Sequence, residues 1–376
     1  TLFPYTTLFR SAQVGAVSTL SLSNLSTASI AGLVTAQLAN LSTAQIASLT
    51  SVQVTGIETA DISGFTTAGF RALNSVQIGQ LSTTQVSSLS TAQVAAMGTD
   101  DVAGLTSDQI TGMSSKLLGA LSTSQLKLIT SDQIAGLATS IVAILTTDQV
   151  AAMSTLSLSA LSTDQVASFV TAQLAALKTA QVAALTSVQV TGIETGDIVG
   201  FTTAGFRALN SVQIGQFSTA QISSISTAEA AAMGTDDLLG LTSDQIKGMV
   251  AAQIASFSTA QVATLTSIQV KGLETADLAG LSTSQVNGIA SVSLQNLSTA
   301  QIAGLVTAQL ANIKTAQIAA LTSVQVTGIT TADLNAISTA GIRTLDSVQV
   351  GNLSTAQVSS FAVTQLAASG RGVLHQ

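Results

Sequence analysis

The chain has 376 residues, of which 46% are hydrophobic but only 3% aromatic and 8% charged, with no cysteine and a formal net charge of −7 at pH 7. Neutralising phosphates needs clustered bases; here they are scattered and the pI is near 4.5, so nucleic acid is excluded as an expected partner. The absence of cysteine excludes disulfides, thiolate metal sites and cysteine nucleophiles, and it suits a cytosolic protein or a bacterial exported one that folds without oxidation.

The first stretch, TLFPYTTLFRS (Thr1 to Ser11), carries the only proline, Pro4, and the only tyrosine, Tyr5. It resembles the translation of a common short-read sequencing adapter, so residues 1–11 are expected to be non-native and outside the fold. There is no initiator Met, and the chain is expected to be a fragment of a longer open reading frame. The mean hydropathy of +0.54 does not imply a membrane span, because Ser or Thr recurs in every repeat and no run of about 18 apolar residues exists.

From Phe9 to Ala368 the chain divides into 45 octads without an insertion. LSTAQIAS (41–48), LTSVQVTG (49–56) and IETADISG (57–64) show the pattern. Position one is always Leu, Ile, Phe, Met or Val, and position six is apolar, as in Leu41 and Ile46. Position three is Ser or Thr in 43 octads, and position five is Gln in 29. A longer period overlies the short one: the segment from Leu49 to Gln80 returns from Leu185 and, diverged, from Leu321, a shift of seventeen octads each time. Copying an odd number of octads implies that each is a nearly equivalent unit, or that a superhelical turn holds a non-integer number of them. The expected organisation is therefore a non-native segment (1–11), one octapeptide-repeat solenoid (12–368) and a non-repetitive tail (369–376).

A continuous helix does not fit, since eight residues advance it by about 800° and the apolar stripe would drift. Charge placement favours very short helices instead. All eighteen acids lie at octad positions two, four or five, among them Glu58, Asp61, Asp108, Asp132 and Asp237. Six bases lie at position seven: Arg71, Lys127, Arg207, Lys247, Lys271 and Arg343. Acids early and bases late complement a helix dipole, each contributing about 0.3–1 kcal/mol, whereas a strand gives no reason for the sorting. The expected fold is all-α, a solenoid of one short capped helix per octad, with a β-solenoid of stacked Gln and Thr ladders as the alternative. Thr at position three is the expected N-cap, because position two tolerates Val34, Lys178 and Glu194. In the alternative frame Ser at position two caps, Gln at five is its reciprocal partner, and positions one and six form a hydrophobic staple. Glycine ends fifteen octads, as at Gly56, Gly64, Gly104 and Gly112, where a left-handed C-terminal residue is expected. Helices this short are far below the roughly 12–15 residues needed for autonomy, so each octad must be held by its neighbours.

Chemistry is sparse. The only histidine, His375, is in the tail SGRGVLHQ. The pairs Asp100–Asp101 and Asp236–Asp237 have the donor type for a cation but no third ligand, and are expected to be acids in a first helical turn. The octad FTTAGFRA, with Gly69, Phe70 and Arg71 and counterparts at Gly205 and Gly341, is the most distinctive; it is expected to be a variant carried by block duplication rather than a docking point. The sequons at Asn24 and Asn296 arise because Asn at position eight precedes Leu-Ser. No phosphate loop, triad or carboxylate pair stands above the repeat, so no catalytic, cofactor or metal residue is assigned and an enzyme is not expected.

The LSTAQVAA-type octads resemble the long Ser/Thr/Ala/Gln-rich arrays of large exported, adhesin-like surface proteins of bacteria. That resemblance implies a stalk or spacer at the cell surface. Two other functions fit the same pattern: an interaction scaffold for a peptide, a protein or a second copy, using Arg71, Arg207 and Arg343, and an ice- or polysaccharide-binding face of regularly spaced Thr.

Overall fold

The computed structural model describes residues 10–369. Most of the adapter-like segment, His375 and the tail from Gly370 lie outside them. Among the described residues every regular element is a helix and none is a strand, which establishes the all-α solenoid and removes the β-solenoid alternative. Backbone contacts divide the chain at Ile193/Glu194 into two units, each built in the same way.

One octad shows how. Ser42 is extended, Thr43–Ser48 is helical, and Leu49 is again extended at φ −60°, ψ 139°. The helix closes with a tight bond from the Leu49 N–H to the Ile46 carbonyl at 3.2 Å, the three-residue spacing that shortens a last turn.

The N-cap is at position two, which corrects the expectation for Thr at position three. Ser42 has extended backbone at φ −70°, ψ 159°, its Oγ accepts from the Gln45 N–H at 3.3 Å, and its own N–H donates to Gln45 Oε1 at 2.8 Å. Thr43 is the first helical residue. The exceptions at position two mislead because the glutamine half of the box needs no side chain there. Val34 and Lys178 still donate their N–H groups to Gln37 and Gln181, at 2.9 and 2.8 Å.

This frame puts positions one and six at the staple spacing, and both are buried through almost all of the chain: Ile46 and Val54 are 0% exposed, Leu49 and Ile57 4% and 3%. Each such side chain contributes about 1.5–3 kcal/mol of burial. In the first unit Thr43–Ser48 packs on Thr19–Ser23 and Ser51–Thr55 on Thr27–Ala31. In the second, Thr283–Gly288 packs on Thr259–Thr264 and Thr331–Ala336 on Thr307–Ala311. Partners are three octads apart, so both units coil with their apolar positions inward.

The glycines at position eight are not left-handed; among the described residues no residue has positive φ, and Gly56 lies at φ −78°, ψ −14°. Close approach explains most of them, though not Gly280, whose nearest neighbour would be Ala255 Cβ at 3.9 Å. A Cβ on Gly56 would stand 2.5 Å from Thr27 Cγ2 and 2.8 Å from the Thr27 carbonyl oxygen. Among the described residues no helix is long and apolar enough to cross a membrane.

Candidate functional site

The most repeated polar arrangement is at position five. Gln53 is 3% exposed; its Oε1 accepts from the Thr50 N–H at 2.8 Å, capping its own helix. Its Nε2 donates to the carbonyls of Leu22 and Leu25 at 3.0 and 2.7 Å. Leu22 is position six of one octad, at the end of a helix, and Leu25 is position one of the next. A single amide therefore satisfies an orphan N–H at the start of one helix and the position-one carbonyl just past the end of another, one turn away, and adds a second bond to the position-six carbonyl, which already accepts from the Leu25 N–H at 3.1 Å. Gln181 does the same in the first unit, to Val150 and Met153, both at 2.9 Å. Gln325 does so in the second, to Leu294 and Leu297 at 2.9 and 2.6 Å. Each amide thus reaches both the third and the fourth octad before its own, so a turn holds between three and four octads, a non-integer number.

Substitutions at position five show which half of the clamp each side chain keeps. Ser157 and Ser293 keep the donor: their Oγ atoms reach the position-one carbonyls of Ile129 and Leu265, at 2.7 and 2.9 Å. Asp61 and Asp333 only accept, and take bonds from Thr35 and Thr307 on the preceding turn, the Thr35 N–H at 2.6 Å and the Thr307 hydroxyl at 2.6 Å. In the distinctive FTTAGFRA octad, Gly69 leaves room for the Ile46 side chain, whose Cδ1 would be 2.5 Å from an added Cβ. Phe70 beside it is fully buried and Arg71 is exposed. In the second copy, the Phe206 ring stacks on Phe217 with centroids 6.3 Å apart and meets Phe201 edge-on at 6.4 Å.

The acidic pairs are caps. Asp101 accepts from the Gly98 N–H at 2.8 Å, and Asp237 from the Gly234 N–H at 2.9 Å. Burial raises both carboxyls above their ordinary value; these backbone bonds offset it in part, and Asp100 and Asp236 add to the rise, while Arg207 lowers Asp237. Burial likewise raises Asp277, offset by its bond from the Glu274 N–H at 2.7 Å and reinforced by the Glu274 charge. Among the described residues no three His, Asp or Glu side chains gather where they could hold a metal ion. The sequon asparagines bond their own helices: Asn24 Nδ2 donates to the Leu20 carbonyl at 2.8 Å, and Asn296 Nδ2 to that of Val292 at 3.0 Å.

Two features escape a reading of the sequence. One is the outward reach of the glutamine amide; its signal is there, because a residue kept at one position in 29 octads must use both its donor and its acceptor. The other is Glu229, whose Oε1 is buried without a partner.

A family model described as the ALTTAQ repeat matches residues 54–91, 87–115, 142–179, 190–227, 230–267, 270–307 and 326–363, together more than half of the chain. The matches beginning at 54, 190 and 326 follow one another at the same seventeen-octad interval, the super-repeat read from the sequence. No curated protein matches the chain.

Proposed function

The chain belongs to the ALTTAQ repeat family, and from that premise we propose that it is a non-catalytic structural region, a stalk or spacer of a bacterial adhesin-like surface protein, placed outside the cell. The observation that carries this reading is where the polar groups are spent. Position-five side chains, the groups that recur often enough to build a site, are committed to capping helices and clamping turns, as at Gln53, Gln181 and Gln325. Such a framework sets distance rather than reactivity. Small-angle scattering from the purified chain is expected to give the profile of an elongated monomer; a compact profile rejects the stalk, and an activity abolished by one point substitution rejects the non-catalytic assignment.

A second reading, an interaction scaffold, is favoured by one observation. Ile268, Val292, Val324 and Val348, all at position four, are 66%, 69%, 62% and 60% exposed. They stand three, four and three octads apart, the whole-octad spacings on either side of the length of a turn. Sedimentation showing a monomer at all concentrations, with no partner retained from a lysate, removes this reading.

A further inference from the structure

Among the acids at position five only Glu229 has the length of glutamine. It occupies the same place: its Oε2 accepts from the Ser226 N–H at 2.6 Å, its N–H donates to Ser226 Oγ at 3.1 Å, and its side chain is 3% exposed. In two nearby octads of the same unit the other terminal atom is an amide nitrogen that donates to a position-one carbonyl, Gln245 to Phe217 and Gln253 to Ile225, both at 2.6 Å. In Glu229 that atom is Oε1, buried and without a partner. The octad 225–232 packs on 201–208 as the other octads pack three apart, so the register sets Oε1 against the acceptor side of Phe201. A carboxylate there would face a carbonyl oxygen with no hydrogen between them, the costly case of a buried unmatched charge.

We propose that Glu229 is held as the neutral carboxylic acid and that its Oε1–H donates to the Phe201 carbonyl, making one turn of the second unit a proton-dependent clamp. With the proton bound, the turn is closed as glutamine closes it elsewhere. When the proton passes to water, two oxygens repel and the octad loosens. Burial raises the Glu229 carboxyl, and the bonds from Ser226 offset this only in part. The charged groups on the packed and adjoining octads are Arg207 on 201–208, Glu194 and Asp197 on 193–200, and Asp236 and Asp237 on 233–240; 217–224 and 249–256 carry none.

The sign follows from the direction of the shift. A carboxyl raised in the folded state contributes stability that is full below its unfolded value, 4.5, and is lost as pH rises through the folded value. The test compares the full chain with Glu229→Gln, which installs the residue resident at most other octads and so preserves folding. The melting temperatures are expected to converge in acid and separate progressively above about pH 4.5, the variant being higher, while Asp101, Asp237 and Asp277 titrate equally in both. Difference infrared spectra at neutral pH are expected to show a protonated-carboxyl band that the variant lacks. A pH-independent difference in melting temperature, or an ionised Glu229 at neutral pH, overturns the proposal.

Discussion

Gln53 and Leu25 lie on successive turns and are joined by an Nε2–H···O bond of 2.7 Å, while the far side of the same amide caps the helix beginning at Ser51. Local and long-range order are thereby coupled through one side chain. An octad that loses its clamp loses its own first turn and its hold on the turn before it.

Gln309→Leu is the direct measure of that coupling. Gln309 donates to Leu278 and Leu281 at 2.7 and 2.6 Å and accepts from the Val306 N–H at 2.8 Å. Leucine fills the space but strands the Leu281 carbonyl and the Val306 N–H, while Leu278 still accepts from the Leu281 N–H; at about 1–3 kcal/mol for each group left buried, a loss of about 2–5 kcal/mol is expected in denaturant titration. The companion Val306→Ser restores the missing half of the capping box and is expected to gain about 0.5–2 kcal/mol.

Glycine to alanine is expected to have opposite signs at two sites. At Gly56 the added Cβ meets Thr27 side chain and backbone, and a loss of about 1–3 kcal/mol is expected from overpacking. At Gly119, within the helix Ser115–Gly119, nothing lies within 4 Å, and alanine is expected to gain about 0.5–1 kcal/mol by propensity alone. Thermal melts of the two variants check the pair.

Asp277→Asn tests a buried acid that lacks glutamine's reach. Its carboxyl is raised by burial, so its contribution to stability is full below 3.8 and declines as pH rises through the folded value. The variant is expected to flatten that decline and to be the more stable protein at neutral pH, as read from melting temperature against pH.

Phe206→Ala removes a fully buried ring stacked on Phe217, with an expected loss of about 3–5 kcal/mol. Because stability in a solenoid is a sum of neighbour terms, amide exchange is expected to accelerate in octads 201–232 and to stay unchanged around 305–320.

The apolar frame is legible because positions one and six never carry a charge, and the helical reading because acids and bases are sorted along each octad. The cap reads one residue late in the sequence: Val34 and Lys178 hide a glutamine whose acceptor does the work. Gly56 reads as a left-handed terminus because a small residue at a helix end signals either conformation or contact, and only the position of Thr27 separates the two. The length of a turn is invisible for a deeper reason. Near-identical octads make a partner three octads away look the same in sequence as one four octads away, and only the coil shows that a single amide reaches both. Glu229 reads as a favourable acid in a first turn, since burial of its second oxygen depends on the turn before it.

The constant reach of the clamp has a genetic corollary. Unequal crossing-over that inserts or removes whole octads leaves every remaining glutamine facing a position-one carbonyl, so the gene can lengthen or shorten its product without redesigning any contact. A frame-preserving loss of a single codon instead puts every clamp that spans the lesion out of phase, and purifying selection should fall far more heavily on that event than on the duplication of seventeen octads at once.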